Sequence, residues 1–122
     1  MVSFMEGIAL DLESGIMMAK DVMKKITPLK EQNILKDALN IAAKKGYVPI
    51  VGDEKKCIAV LSAMDICAIL NNGAKTTAKL KNLVKRQKLH SIQQNTPYVE
   101  IRNIKNVMVV EDKKGFYRGL IF

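Results

Sequence analysis

Gly46-Tyr47-Val48-Pro49-Ile50-Val51-Gly52-Asp53, followed by Ile58-Ala59-Val60-Leu61-Ser62-Ala63-Met64-Asp65, decides the reading of this chain. The first stretch is a short β-branched run entered and left through glycine. The second is another such run that passes into a helix opened by Ser-x-x-Asp. A weaker copy returns as Asn106-Val107-Met108-Val109-Val110-Glu111-Asp112 and Arg118-Gly119-Leu120-Ile121-Phe122. One copy would be a hairpin. Two copies, each with a helical segment upstream, are an internal repeat.

Working outward, Tyr47 to Val51 and Cys57 to Leu61 read as strands. The connection Gly52-Asp53-Glu54-Lys55-Lys56 has turn chemistry, so the two should pair antiparallel. Ser62 to Leu70 reads as a helix stopped by Asn71-Asn72-Gly73. Upstream, Asn33 is the expected N-cap of a helix with Ile34, Leu35, Ala38, Leu39, Ile41 and Ala42 on one face, ended by Gly46. Asp21-Val22-Met23 is a short helical turn, and Pro28 lies in an extended link. Ser3 to about Met18 reads as a helix with a Phe4, Ile8, Leu12 stripe and a Ser3/Glu6 capping box.

The second half repeats this order. Thr77 to about Arg86 is expected to be helical with Leu80, Leu83 and Val84 inward. His90-Ser91-Ile92 takes the place of the link. Thr96 caps a helix from Pro97 to about Lys105, more than one turn shorter than its counterpart. Phe122 corresponds to Ser62. The expectation is an α+β layered fold of two pseudo-symmetric helix–strand–strand–helix repeats, 1–73 and 74–122, packed through their small sheets as one module.

The 122 residues are 48% hydrophobic and lack Trp, so the core must be aliphatic. No apolar run approaches the roughly 20 residues of a membrane helix. The first twenty residues carry Glu6, Asp11 and Glu13 and do not read as a signal peptide, so a cytoplasmic protein is expected. Cys57 and Cys67 read as buried small hydrophobes, not a disulfide. With His90 as the only histidine, no Cys/His zinc site can be built, and no metal site is expected. The net charge is +8, and no acidic residue falls between Asp65 and Glu100, where Lys75, Lys79, Lys81, Lys85, Arg86 and Lys88 lie. Such a stretch is a solvated basic face or an attractor of phosphates.

The ordered set Asp21-Val22-Met23, Asp37-Ala38, Gly46-x-x-Pro49-Ile50-Val51 and Val60-Leu61-Ser62-x-x-Asp65-Ile66 resembles a tandem pair of CBS domains, the cystathionine β-synthase type of regulatory module. The resemblance covers nearly all of the first repeat and the two strands of the second. Where the family usually has Gly, this chain has Ala59, and Gly119 occupies that place in the second copy. The resemblance implies a non-enzymatic sensor that takes AMP, ADP, ATP or S-adenosylmethionine in clefts between the repeats. It also implies a homodimer that controls an attached or partner effector. No cofactor is required.

Carried over by position, Asp65 would accept from the ribose hydroxyls and Ser62 would donate to the first phosphate. Tyr47 and Val48 would contact the adenine beside Pro49, and Ile26 and Thr27 would form the opposite wall. Chemistry supports the first two roles: a carboxylate holds a vicinal diol, and a helix N-terminus favours a phosphate. The same Ser62 and Asp65 also make an ordinary capping box, which needs no ligand. Pro49 also reads as a sheet-edge proline and Tyr47 as a packed aromatic, and His90 reads as a surface or half-buried residue or as a phosphate or ribose contact. The second cleft lacks its Ser-x-x-Asp, because Phe122 stands where the hydroxyl belongs.

Three functions compete: an adenosine-ligand sensor, with Lys24 and Lys25 near the phosphates; a ligand-free dimerising module using Phe4-Ile8-Leu12 and Ile66-Ile69-Leu70; and a nucleic-acid binder using the acid-free stretch. The last has few aromatics and no RNA- or DNA-binding signature. An enzyme is disfavoured, since there is no nucleophile–base set and no glycine-rich phosphate loop. A C-terminal effector domain is expected beyond Phe122.

Overall fold

A computed structural model describes residues 17–122. The expected Ser3-to-Met18 helix and its Phe4-Ile8-Leu12 stripe lie outside the described residues, except Met17 and Met18. Met18 forms an isolated bridge with Pro97.

The first repeat begins with a four-residue helix α1 (Ala19–Val22) and an extended link that enters strand β1 (Leu29–Lys30). Helix α2 (Leu35–Lys45) follows. It buries Leu35, Ala38 and Ala42, spaced to fall on one face, and ends at Gly46 with φ +92°. Only glycine takes that conformation without strain. Asn33 does not cap α2. Its side-chain oxygen instead accepts from the Lys30 N–H at 2.8 Å, closing a local turn. The cap residue is Ile34, whose N–H donates to the Asp37 carboxylate at 3.2 Å.

Strands β2 (Tyr47–Val51) and β3 (Cys57–Ser62) form the expected antiparallel hairpin, with β1 parallel to β2 on its other edge. Helix α3 (Ala63–Asn71) follows directly. The second repeat carries β4 (Ser91–Gln93), β5 (Met108–Glu111) and β6 (Tyr117–Ile121), ordered β4-β5-β6 as the first is ordered β1-β2-β3. Both hairpins carry an irregularity at the same place, between Ile50 and Val51 and between Val110 and Glu111. That shared bulge fixes the equivalences. Gly119 sits opposite Val110 as Ala59 sits opposite Ile50, so Phe122 is the counterpart of Ser62. Leu29 pairs with Ile50 and Ile92 with Val110, so Thr27 is the counterpart of His90.

Two expected helices are absent. Leu80–Asn82 and Tyr98–Glu100 are single 3₁₀ turns. Hydrogen bonding explains the change, because the backbone groups of these segments are committed elsewhere. The N–H groups of Leu80 and Lys81 donate to the carbonyls of Asn33 and Glu31. In return, the carbonyls of Ala78 and Thr76 accept from Leu35 and Lys36 at the start of α2. These bonds satisfy donors that a helix N-terminus leaves open. Likewise Tyr98 donates to Met17, and Thr96 and Gln94 accept from Ala19 and Lys20.

These bonds cross between repeats. Leu80, Leu83 and Val84, which precede the second sheet in sequence, pack on the helix side of the first. Ala19 and Met23, which precede the first sheet, pack with Ile101, Met108 and Val110 of the second repeat. Between the sheets lies a third cluster built almost entirely from equivalent pairs: Ile26 and Leu89, Val60 and Leu120, Tyr47 and Val107, Cys57 and Tyr117. The two sheets therefore bury their faces against each other, giving the expected layered α+β module.

Two further expectations change. Cys67 is exposed, whereas Cys57 is half-buried. On α3, Ile66 is fully buried and Ile69 and Leu70 pack on the first core, so the outward face is Ala63, Met64, Cys67 and Ala68 instead. The cations from Lys75 to Lys88 are exposed, but a 3₁₀ turn and extended backbone carry them, not one helix face. No helix among the described residues is long and apolar enough to cross a membrane.

Candidate ligand-binding clefts

Ser62 has extended backbone (φ −88°, ψ 170°), and its hydroxyl accepts from the Asp65 N–H at 3.1 Å. The Asp65 carboxylate accepts from the Ser62 N–H at 2.8 Å. The reciprocal capping box is complete, with Asp65 exposed and Ser62 half-buried. A ligand using either group shares it with the cap. Tyr47 pairs with Ser62 across the strands. Its ring lies 4.7 Å from that of Phe122, tilted by 56°. The Lys24 ammonium sits 3.8 Å above the Phe122 ring, in the range of a cation–π contact. A string of contacts thus runs from Ser62 through Tyr47 and Phe122 to Lys24, two residues before Ile26.

Two clefts are relevant here, one holding Tyr47 and one beginning at Lys25, the residue after Lys24. The first, about 430 Å³, lies between Tyr47 and Val60 on one side and residues 87–90 and 105–107 on the other. Gln87 anchors it: its side-chain oxygen accepts from the Val60 N–H at 2.9 Å, and its own N–H donates to the Ile58 carbonyl. The link of the second repeat is therefore tied to β3, the strand that delivers Ser62. The second cleft, about 290 Å³, is lined by Lys25, Ile26, Thr27, Asn40, Ile41, Lys44 and Lys45. Here Lys24 exchanges backbone hydrogen bonds with Leu120, so this link is tied to β6, which ends in Phe122.

The sequence-predicted residues therefore separate. Tyr47 lines the first cleft; Ser62 pairs with Tyr47 across the strands and holds Asp65 through the capping box, and neither lines the cleft. Ile26 and Thr27 line the second, where Phe122 holds the place of Ser62. Val48 and Pro49 are fully buried and line neither cleft. Sequence reasoning did not single out Gln87, Leu89 or Val107, and it read His90 as a surface or half-buried residue with a phosphate or ribose contact as the alternative. Aligning the two links would have found them, since His90 stands where Thr27 does and Val107 where Tyr47 does.

Burial raises the Cys57 thiol to about 11, and the neutral thiol donates to the Ala59 carbonyl at 3.3 Å. The Tyr117 hydroxyl, raised by burial, donates to the Ile26 carbonyl at 2.7 Å. It fixes the backbone of the link beside Thr27. Among the described residues no cluster of three His, Cys, Asp or Glu side chains could hold a metal ion.

No protein-family description and no curated protein matches the sequence. Solved structures do match. The chain is similar to a putative acetoin utilization protein (AcuB) from Vibrio cholerae at 20% identity and TM-score 0.70, over 87% of this chain and 84% of that one. It is similar to the CBS domains of a transcriptional regulator from Streptococcus pneumoniae at 14% identity and TM-score 0.66, over 87% and 92%. A hemolysin-like protein containing a CBS domain, from Oenococcus oeni, aligns at 19% identity and TM-score 0.61, over 87% and 84%. The likeness, with two equivalent sheets joined through crossing links, identifies the fold of this chain as that of a CBS domain pair.

Proposed function

We propose that this chain is a regulatory module, without catalytic activity of its own, that binds an adenosine-containing ligand and passes its occupancy to an attached or partner effector. The observation that carries this reading is the cleft of about 430 Å³ beside Tyr47, next to the strand pair that ends in the Ser62–Asp65 box. Tyr47, Val60, Leu89 and Val107 supply an apolar wall for a purine. Asp65 accepts from a ribose diol, and Ser62 with the N-terminus of α3 receives a phosphate. Val48 and Pro49 support that wall from beneath. Lys88 and Lys105 add positive charge at the rim. Ile26 and Thr27 serve the companion cleft, where Phe122 replaces the hydroxyl. AMP, ADP, ATP and S-adenosylmethionine are the candidate effectors.

A thermal-shift titration with each of the four tests the reading. A ligand that binds only the folded state stabilises it as RT ln(1 + [L]/Kd). The expected result is a concentration-dependent rise with at least one of them, lost in a folded Asp65→Ala variant. No rise with any would remove the sensor reading.

The outward face of α3 favours a second reading, a homodimerising module that needs no ligand. Ala63, Met64, Cys67 and Ala68 are exposed together, and Met64 is 80% exposed. A self-complementary apolar helix face suits a two-fold interface. Sedimentation of the wild type and Met64→Glu tests it, with a concentration-dependent dimer expected only for the wild type.

A further inference from the structure

A third cleft, about 430 Å³, lies away from the Ser62–Asp65 box, at the hairpin end of the module. It shares Lys25, Ile26 and Thr27 with the 290 Å³ cleft, but its other walls differ. Those walls come from Val51 at the end of β2, Lys55 in the hairpin turn, and Tyr117 and Arg118 at the start of β6. Lys25, Lys30, Lys55 and Arg118 bring four positive charges to it, and among the described residues no acidic side chain lines it. Asp53 lines a neighbouring hollow that shares Lys30, Val51 and Lys55. The floor is apolar, from Met23, Ile26, Pro28 and Val51, with Tyr117 held in place by its bond to the Ile26 carbonyl.

Lys55 carries a second, independent signal. It is the one non-glycine among the described residues with positive φ, at 60°. Turn positions of that kind favour Gly, Asn or Asp. Here a long cation occupies one. Its N–H donates to the Gly52 carbonyl and its carbonyl accepts from the Tyr117 N–H at 3.0 Å, so the strained residue is tied to the cleft's far wall. The equivalent turn position in the second hairpin is Gly115, at φ 81°, so the hairpin sets this geometry and Lys55 brings a cation to it.

We propose that this cleft, away from the Ser62–Asp65 box, is a binding site for a compact polyphosphate anion. Four cations lining one cleft raise the local concentration of multiply charged anions. Arg118 offers paired N–H donors, and the lysines offer mobile point charges. The same chemistry comes from free inorganic polyphosphate or from the tail of a phosphorylated metabolite lying on the apolar floor.

Calorimetric titration of the full chain with inorganic tripolyphosphate tests the site, at two salt concentrations and with folding checked by circular dichroism. The expected result is one-to-one binding that weakens with salt. It should weaken at least tenfold in the double variant Lys55→Asn, Arg118→Gln. Lys55→Asn suits the positive φ, and Arg118 is exposed, so both changes spare the fold. The control Lys113→Gln, Lys114→Gln removes the same charge from the other hairpin and should stay within twofold of wild type. No binding by the wild type, or equal losses in both double variants, would overturn the proposal. ATP then separates the sources. Binding tighter than tripolyphosphate, and still lost in Lys55→Asn, Arg118→Gln, assigns the floor to a metabolite's body; equal binding assigns the cleft to the phosphate chain alone. ATP binding that ignores the double variant but is lost in Asp65→Ala reports the adenosine cleft and leaves the tripolyphosphate result to decide.

Discussion

At Gly119 an added Cβ would lie 2.8 Å from Met23 Sδ and 3.0 Å from the Lys24 carbonyl oxygen. The methionine can swing aside, but the carbonyl is held by the Leu120 N–H. Gly119→Ala should therefore cost about 1–3 kcal/mol, read from a urea midpoint, and an unmoved midpoint would show that the link relaxes freely. Ala59, the equivalent residue, is buried without such a conflict. There the adjoining N–H of Val60 is met by the Gln87 side chain in place of a backbone carbonyl, which lets the link stand further off. The two cysteines also part company at this scale. Cys57 is partly buried with a raised pKa, and Cys67 lies open on α3. In native protein a thiol reagent at pH 8 should modify one thiol quickly, and Cys67→Ser should abolish that fast phase. The exposure of Cys67 could not be read from the sequence because α3 is apolar on nearly every face, leaving no periodic signal for its orientation.

At the scale of elements, both hairpins were legible. Their β-branched runs, turn residues and equal spacing are local properties, and local properties survive into the fold. The stretches Thr77 to Arg86 and Pro97 to Lys105 were not. Leu80, Leu83 and Val84 have helical spacing, but a 3₁₀ turn with partners on a distant element buries the same residues. Those distant partners, Asn33 and Glu31 for one turn and Met17 for the other, leave no trace in a local window. Of the two readings of the Ser-x-x-Asp stretch, the structure shows the cap, while the tie of the residue 87–90 link to β3 through Gln87 leaves no trace in a local window. The cap itself makes a prediction. Ser62→Ala removes the acceptor for the Asp65 N–H and should lower stability by about 1 kcal/mol, seen as a lower thermal midpoint. A loss of ligand response in that variant is informative only against this baseline.

At the scale of the whole molecule, Cys57 and Tyr117 occupy equivalent places in the core between the sheets, and burial raises both. The folded state then holds protons that the unfolded chain releases. The contribution of Cys57 is complete below its ordinary value of 9.0 and is lost as pH climbs toward about 11. The contribution of Tyr117 is complete below 10.0 and fades above it. The thermal midpoint should fall once pH exceeds 9, and Cys57→Ala should delay the onset toward pH 10. A midpoint that stays level to pH 11 would mean that water reaches both groups.

The crossed lead-in segments also have a consequence for synthesis. A ribosome releases residues in order, yet the core under α2 stays open until Leu80, Leu83 and Val84 have emerged. Until then the first hairpin is a nascent chain with an uncovered apolar floor, at risk of wrong partners. A fragment ending at Gly73 should therefore give the proton spectrum of an unfolded polypeptide, and adding residues through Val84 should be the step at which the first sheet begins to hold its shape.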